Sequence, residues 1–487
     1  MRRIGLDLAL RAPHRAAIFD DGKAIGRTFA VPRTMDGINE LMRRATIGHG
    51  EPCEFIMEPT GLAWVPLAAE LTRRGHRTYV PKPQKTHALR KFFKEHTKTD
   101  GTDAKAAALL RHVDPEGVHE LHVPTADELS LQMFVKQRAR LVADATKCKQ
   151  RIHAVLVLAH PLLSEALAES LFTKLGRAVL RKQLDPFRVV ERGRSYLRRF
   201  WAQYQRGAVD ETQFNEVWSA CEAARALFEE LRREHRLPFD YENVQHIINQ
   251  ELDAIEFVET QIHELERKIQ QLYRAVDPEQ ILLKVPGVGQ VIGAALQALI
   301  GDVRRFPNVK AFAAYTGLVP RTNLTAGEAK PGQRMTKAGA DLIKQYLFLA
   351  AERARLDDPE LAATYARAVA RGKHHYSATV IVAHKLARRI YAVLKHRATQ
   401  PDQPTAYRLR RPDDAQELTR LQAREYVRSQ YPSKAERARR EKAAARNIPG
   451  TGSPEGATNG SGPTPLAPPL PATTPCANTD EQTVATP

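Results

Sequence analysis

The stretch IGLDLA, residues 4–9, decides the fold of the amino-terminal part of the chain. It has the pattern of a short buried strand that carries one acid, Asp7, and AAIFDDG at residues 16–22 fits a second strand after a turn. Further strand-like runs occur at residues 55–57 and 78–80, and they alternate with helical patterns at residues 37–44 and 66–74. This alternation predicts an α/β domain over residues 1–125.

Three more acids occur where α/β domains place their chemistry. Glu58 closes the apolar run EFIME and precedes Pro-Thr-Gly, at the expected end of a buried strand. The stretch KTDGTDAKAAALL supplies Asp100 and Asp103 at the start of a helical pattern, and a three-residue step puts both on one helix face. Four converging acids repel one another unless cations neutralise them. Two Mg²⁺ ions about 4 Å apart would do so and would support phosphodiester chemistry.

Each acid also has an ordinary structural explanation. Asp100 fits a helix cap, Asp103 a first-turn acid stabilised by the helix dipole, and Glu58 a surface carboxylate. Asp7 is harder to explain in this way, because an unpaired acid inside an apolar strand is costly to bury. The order of a strand acid, a strand-end acid and two helix-start acids favours a metal site over four separate roles.

The charge of the whole chain points to a polyanionic partner. Its 487 residues include 74 Lys and Arg against 56 Asp and Glu, which gives a net charge of +18. No apolar run reaches the roughly 18 residues that a membrane-spanning helix needs, so nucleic acid is favoured over a membrane. The four cysteines are far apart in sequence and fit reduced thiols of a cytoplasmic protein.

The rest of the chain is predicted to be all-α, apart from an unstructured tail. Long helical patterns from residue 126 to about 160 and over 251–275 suit an antiparallel coiled-coil arm, and no function is assigned to the segment 176–245 between them. The Pro, Gly, Thr and Ser of the last 41 residues cannot form a core. The predicted divisions are an arm at 126–279, a helical domain at 280–400, a basic helical extension at 401–446 and a disordered tail at 447–487.

The stretch KVPGVGQ has the form of a helix-hairpin-helix turn. Pro286, Gly287 and Gly289 would shape a tight turn whose backbone N–H groups hold a phosphate beside a helix N-terminus. A plain interhelical turn explains the same glycines equally well. Basic residues that could contact nucleic acid follow, although charge runs are usually solvated surfaces: Arg321, Lys330, Arg334, Lys337 and Lys373, the last beside His374 and His375.

These motifs together resemble the DEDD transposases of bacterial insertion sequences, a group that has a RuvC-like nuclease domain and includes pilin-gene invertases and bridge-RNA-guided recombinases. The matching stretches are IGLDLA, MEPTG, KTDGTDAKAAALL, LLKVPGVGQVIGAALQALIGDVRRF, the segment from FAAYTGLVPRTNLT to KQYLFLAA, and HKLARRIYAVL. The resemblance covers about residues 1–170 and 250–397. It implies an RNase H/RuvC-like mixed sheet, followed by the helical arm and a helical transposase domain.

One position departs from the family. The resemblance implies a nucleophilic serine soon after Pro320, and here the corresponding residue is Thr325. No serine occurs between Ser219 and Ser377, so a local gap cannot restore one. A threonine hydroxyl is more crowded and needs a base or a metal to activate it. A turn residue that bonds its own backbone is the competing explanation, and Thr322, Thr336 and Tyr315 are the next candidate hydroxyls.

The resemblance also implies the reaction and its partners. Asp7, Glu58, Asp100 and Asp103 would bind Mg²⁺, and Thr325 would form a covalent link to DNA in a recombinase that acts as a homodimer or homotetramer with a guide RNA. Such an enzyme would work at the bacterial nucleoid in the cytoplasm. Two other classes stay open: a Holliday-junction-type nuclease, which needs the acids but no covalent nucleophile, and an impaired relic that only binds nucleic acid.

Overall fold

The structure is a computed structural model that describes residues 1–49, 52–58, 60–93, 100–205, 207–320, 324–325, 328–329, 335–336 and 339–432. Met1–Tyr431 form one compact unit. The helix expected around 433–446, the tail at 447–487 and Cys476 lie outside the described residues. The other three cysteines, Cys53, Cys148 and Cys221, are buried and form no disulfide.

The amino-terminal domain contains a mixed six-stranded sheet, as predicted. Its strands are β1 Arg2–Asp7, β2 His14–Asp20, β3 Lys23–Val31, β4 Glu54–Met57, β5 Arg77–Pro81 and β6 Val118–Glu120. Their order is β3-β2-β1-β4-β5-β6, with β1, β4 and β5 parallel and the other neighbours antiparallel. The sequence pattern did not predict strand β3, because most of its residues are exposed and it has no apolar run.

Helices cover both faces of this sheet. They are α1 Met35–Thr46, α2 Trp64–Arg73, α3 Pro83–Phe93 and α4 Asp100–Val113. Ile4, Leu6 and Leu8 of the first strand and its extension pack with Leu41 of α1 and Leu71 of α2. Helix α4 packs on the opposite face. The sheet therefore lies between two helical layers, and α4 covers the face that carries Gly5.

Two long helices form an antiparallel pair after this domain. They are α5 Ala126–Ala159, which Thr125 and Glu128 begin with a reciprocal capping box, and α11 Tyr241–Val276. Arg138 pairs with Glu266 at 2.6 Å and Arg151 with Glu251 at 2.6 Å. Partner numbers fall along α11 as they rise along α5, so the two helices run in opposite directions.

The segment between these helices folds as a helical bundle at the far end of the pair. Its helices are α6 Leu163–Leu167, α7 Lys174–Lys182, α8 Pro186–Arg192, α9 Arg194–Tyr204 and α10 Glu211–Arg233. Trp201 of α9 is fully buried and packs edge-on against Phe214 of α10 at 5.7 Å. The core also includes Ile152 of α5 and Ile248 of α11. The insertion is thus a packed unit rather than a simple extension of two helices.

The carboxy-terminal domain is helical and has its own core. Its elements are α12 Gln290–Ile300, α13 Val309–Thr316, β7 Leu324–Thr325, β8 Glu328–Ala329, α14 Asp341–Ala354, α15 Pro359–Ala370 and α16 His375–Thr399. Leu131 of α5 and Tyr273 of α11 are fully buried in the same core as Leu296 and Leu386. The base of the helix pair is therefore embedded in this domain.

Residues 401–432 are not purely helical, which corrects the predicted helical extension at 401–446 in its described part. They form a hairpin of β9 Leu409–Arg410 and β10 Glu417–Leu418, followed by α17 Arg420–Gln430. Tyr407 anchors the segment, because its hydroxyl donates to the buried carboxylate of Asp358 at 2.7 Å. In the described part of the chain, no helix has the length and apolarity needed to cross a membrane.

Candidate active site

The candidate site lies where α4 crosses the first strand. Side chains alternate between the two faces of a strand, so Arg3, Gly5 and Asp7 share the face opposite to Ile4 and Leu6. A Cβ atom at Gly5 would be 2.6 Å from the backbone nitrogen of Ala108 and closer still to the carbonyl oxygen of Ala104. Only glycine permits this approach. The sequence IGLDLA therefore brings the backbone of α4 against β1 two residues before Asp7.

Asp7 and Glu58 end neighbouring parallel strands. Leu6 of β1 is in register with Met57 of β4, and each acid is the next residue along its strand direction. Neighbouring strands lie about 4.8 Å apart, so the backbones of the two acids run side by side. Both residues are half-buried. The structure thus brings these two predicted acids together at one edge of the sheet.

The start of α4 lies toward the same edge. Ala104 faces Gly5, whereas His112, eight residues later, is 3.1 Å from Arg3. Helix α4 therefore runs antiparallel to β1, with its first turn toward Asp7. Asp103 is half-buried one residue before Ala104, and Asp100 is the first residue of the helix. The side chain of Asp100 lies outside the described part of the structure.

Metal ligation by the four acids stays a prediction. Among the described residues, no group of three or more His, Cys, Asp or Glu side chains is arranged to hold a metal ion. That set lacks the Asp100 carboxylate, and both Asp7 and Asp103 already have interaction partners. The donor chemistry still fits Mg²⁺, because carboxylate oxygens are its usual protein ligands.

A buried ion pair fixes α4 to the opposite end of the sheet. Glu54 of β4 accepts a hydrogen bond from Arg3 of β1 at 3.0 Å and lies 3.6 Å from Arg111 of α4. Burial by itself would raise the pKa of the Glu54 carboxyl, but Arg3 and Arg111 outweigh it and hold that pKa below its ordinary value. This charged cluster and the Gly5 contact together set the position of α4, and with it the position of Asp103.

Thr325 lies on a short hairpin of the carboxy-terminal domain. Leu324 pairs with Ala329 and Thr325 with Glu328, and a bridge between Pro320 and Met335 joins the two arms nearer the domain. Thr325 is on the two-residue strand β7, so it is not part of an irregular loop. Its side chain and the predicted basic residues of this segment lie outside the described part: Arg321, Lys330, Arg334 and Lys337.

The segment that carries the hairpin begins and ends near Gly317 and Gly339, whose backbones are in contact. Gly339 has a φ of +96°, and a Cβ there would be 2.7 Å from the backbone nitrogen of Gly317. The hydroxyl of nearby Tyr315 donates to the carbonyl of Leu299 at 2.7 Å, and the Arg305 guanidinium lies 4.5 Å from its ring centre. Tyr315 is thus engaged in a structural contact, which disfavours it as the nucleophile.

The Pro286-Gly287-Val288-Gly289 turn has a packing role. It follows a 3₁₀ helix, Ile281–Lys284, and leads into α12. Gly287 has a φ of +78°, and a Cβ there would be 2.6 Å from the backbone nitrogen of Ala354 in α14. At Gly289, in contrast, an added Cβ would meet no atom within 4 Å. Packing therefore explains the first glycine and leaves the second facing open space.

That open space is a cavity of about 230 Å³ beside the turn. Three arginines line it, Arg353 of α14 and Arg420 and Arg424 of α17, together with Asp357, which pairs with Arg424 at 2.9 Å. Sequence reasoning missed these arginines, because they belong to two helices that only the fold brings together. The i, i+4 spacing on α17 was the one local signal for a shared face.

The second predicted basic cluster divides into different roles. His374 caps α16 by accepting a hydrogen bond from the backbone of Tyr376, and His375 lies 2.9 Å from the Tyr365 hydroxyl. The Lys373 side chain is exposed. His374 is exposed as well, so both it and Lys373 are accessible to a ligand, although His374 also caps the helix.

Both the amino-terminal and the carboxy-terminal parts of the chain match known protein families. Residues 4–161 match a DEDD family described as "Transposase", and residues 279–366 match one described as "Transposase IS116/IS110/IS902 family". The chain is similar to the 43.6 kDa protein of insertion element IS110 of Streptomyces coelicolor, at 24% identity over 80% of this chain and 93% of that protein. It is also similar to a Pseudomonas aeruginosa protein named "Probable family 20 transposase", at 26% identity over 61% of this chain and 70% of that protein. The four acids fall within the first matched range and Thr325 within the second.

Proposed function

Because the chain belongs to the IS116/IS110/IS902 family of transposases and is a DNA transposase, we propose that Asp7, Glu58, Asp100 and Asp103 form its strand-cleavage site. The observation that carries this proposal is the register of β1 and β4, which sets Asp7 beside Glu58 under the first turn of α4. Asp7, Glu58 and the first turn of α4 therefore lie at one edge of the sheet, and the domain does not have to rearrange to bring them there.

The four carboxylates would hold divalent metal ions. A DEDD transposase domain implies the use of such ions in general, and we propose Mg²⁺ because the donors are hard carboxylate oxygens. When bound, the ions would activate the attacking oxygen and stabilise the leaving one. Two close contacts would hold these acids in place for the metal, Gly5 against α4 and Arg3 with Glu54.

Thr325 would supply the attacking hydroxyl. Its Oγ1 would form a bond to the scissile phosphorus while the bond to the DNA 3′-oxygen breaks, and the hydroxyl proton would leave as the 3′-hydroxyl forms. The 5′-phosphothreonyl link keeps the phosphodiester energy, so no nucleotide cofactor is needed. A 3′-hydroxyl of the exchanged strand would reverse the step and release Thr325. Its place in the β7–β8 pair, outside the helices of the carboxy-terminal domain, supports this role.

The remaining parts of the proposal concern assembly. A structured guide RNA would select the target, and a homodimer or homotetramer would bring the Thr325 hairpin of the carboxy-terminal domain to a nuclease domain. The reaction would take place on the bacterial chromosome in the cytoplasm. The turn beside Gly289, with Arg353, Arg420 and Arg424, would contact a nucleic-acid phosphate in this assembly, as its partly open arginine-lined cavity allows.

Trapping a covalent complex tests this function. Wild-type protein is incubated with labelled DNA carrying the ends of its own element, with Mg²⁺ or with a chelator, and is then denatured and separated by size. We expect a protein-DNA species that needs Mg²⁺ and is removed by protease. Metal-dependent cleavage without that species would indicate a Holliday-junction-type nuclease, and DNA binding without cleavage would indicate a relic.

A further inference from the structure

The helical bundle between α5 and α11 contains a groove that the proposed reaction does not use. It lies in the insertion between the two family matches, which end at residue 161 and resume at residue 279. The groove has a volume of about 550 Å³. Seven polar or charged side chains from α7, its C-cap, α8 and α9 dominate its lining: Lys182, Gln183, Arg192, Tyr196, Arg199, Gln203 and Tyr204.

The surrounding helices make the groove strongly positive. Neither α7 nor α9 contains an Asp or Glu, and no carboxylate lines the groove. Most other bundle arginines neutralise acids: Arg177 pairs with Glu259 and Arg181 with Asp253. Lys182, Arg192 and Arg199 form no ion pair in the part of the chain that the structure describes. Their charges are therefore available to an external anion.

Two tyrosines contact two of these cations. The Lys182 ammonium lies 3.0 Å from the Tyr204 hydroxyl, and the Arg192 guanidinium donates to the Tyr196 hydroxyl at 2.9 Å. Arg192 also lies over the Tyr196 ring, 5.0 Å from its centre. The hydrogen bond from Gln183, followed by Arg192 and Lys182, lowers the pKa of Tyr196. Both rings are half-buried, so each still presents part of its surface to the groove.

Size and chemistry identify the class of ligand. A cavity of 300–1,000 Å³ fits a ligand of small-molecule size, so this groove has room for about one or two nucleotides and is too small to enclose a duplex. Cations with aromatic rings and a planar guanidinium recognise unpaired nucleotides, because phosphates bind the charges and bases stack on the planes. An acidic peptide could use the cations but would leave the rings without a partner.

We propose that this groove binds an unpaired nucleic-acid strand, with phosphates on Lys182, Arg192 and Arg199 and a base against Tyr196 or Tyr204. The site is distinct from the cleavage site in the amino-terminal domain. It does not depend on the proposed chemistry, because binding here needs neither the four acids nor Thr325. An unpaired strand occurs in single-stranded RNA, in single-stranded DNA and in the loops of a folded RNA, and these share the same phosphates and bases.

The test compares two full-length variants that each lose three positive charges. In the groove variant, Lys182→Gln, Arg192→Gln and Arg199→Gln are combined. In the control, Arg188→Gln, Arg198→Gln and Arg225→Gln remove bundle arginines that pair with Glu242, Glu211 and Glu229. Fluorescence anisotropy measures binding of labelled single-stranded RNA, single-stranded DNA and duplex DNA of about 15 nucleotides. Circular dichroism melting confirms that both variants are folded.

We expect the groove variant to bind one or both single strands at least about tenfold more weakly than the control variant. The slope of the logarithm of its binding constant against the logarithm of the salt concentration should be smaller in magnitude by about 2. Duplex binding should be equal in the two variants. Ultraviolet cross-linking followed by peptide mass spectrometry should place unpaired nucleotides on Tyr196 or Tyr204 in wild type and not in the groove variant.

Three results would overturn the proposal. The two variants could bind single strands with equal affinity, or the groove variant could lose duplex and single-strand binding equally. The third is that polyglutamate, added as a competitor at matched charge, displaces the bound strand from wild type. Retention of single-strand binding by an Asp7→Ala variant is expected, because that change affects only the cleavage site. The groove and the transposase chemistry can thus fail independently.

Discussion

Gly5 of β1 lies against the carbonyl group of Ala104 in α4, backbone against backbone, with no room for a side chain between them. The two residues adjoin the predicted acids, since Asp7 follows Gly5 by two residues and Asp103 precedes Ala104 by one. The separation between the acids of the sheet and the acids of the helix therefore depends on this contact.

Gly5→Ala should destabilise the amino-terminal domain. The added methyl group must push α4 away from β1, and overpacking of this kind costs about 1–3 kcal/mol. The measurement is the midpoint of urea unfolding, with limited proteolysis used to detect unfolding of this domain. Gly289→Ala is the matched control, because that position has an ordinary φ of −93° and open space around it. Equal midpoints for the two variants would contradict the close contact.

Asp7→Asn and Glu58→Gln should each abolish DNA cleavage while leaving DNA binding within about twofold, because they remove a carboxylate without removing positive charge. Cleavage of labelled DNA over a range of Mg²⁺ concentrations provides the measurement. Glu40→Gln is the control, since Glu40 is a surface acid of α1 that pairs with Arg43 and Arg44. Full activity of either site variant would remove that acid from the proposed site.

Thr325→Ala should eliminate the covalent protein-DNA species, and Thr325→Ser should retain or increase it, because a primary hydroxyl is less hindered than a secondary one. The denaturing separation of protein-DNA complexes distinguishes the two variants. A persistent adduct in Thr325→Ala would transfer the role to another hydroxyl, with Thr322 and Thr336 the next candidates. An adduct formed by Thr325→Ser but not by wild type would show an intact site that lost its chemistry through one methyl group.

Glu54→Gln should destabilise the amino-terminal domain at neutral pH and have little effect in acid. The folded state lowers the pKa of Glu54 below its reference value of 4.5, so the ionised carboxylate stabilises the fold above that pH. The contribution is lost as the pH falls through the folded pKa, because the protonated acid no longer pairs with Arg3 and Arg111. Loss of one partner from a largely buried pair costs about 3–5 kcal/mol.

Denaturation of wild type and Glu54→Gln at about pH 7 and about pH 3 tests this sign. The difference in unfolding free energy should shrink at the lower pH. A difference that is constant across this range would mean that packing, rather than charge, explains the role of Glu54.

Local patterns in the sequence predicted much of the secondary structure of this chain. Apolar runs indicated β1, β2, β4 and β5, and long helical patterns indicated α5 and α11. These signals are local, because strand alternation, helix periodicity and end caps involve residues that are close in sequence. They also selected Asp7 and Glu58 as candidate acids of the site. Strand β3 gave no such signal, since an exposed strand needs no apolar residues.

Tertiary structure alone decided which distant residues share a surface. The parallel register of β1 with β4 put Asp7 next to Glu58, and packing of α17 beside α15 brought Arg420 and Arg424 to the turn at Gly289. In the insertion, Lys182 and Arg199 meet in one groove because Trp201 and its neighbours fold the short helices together. Charge and composition showed that the chain carries excess positive charge. Burial of apolar side chains determined where that charge collects.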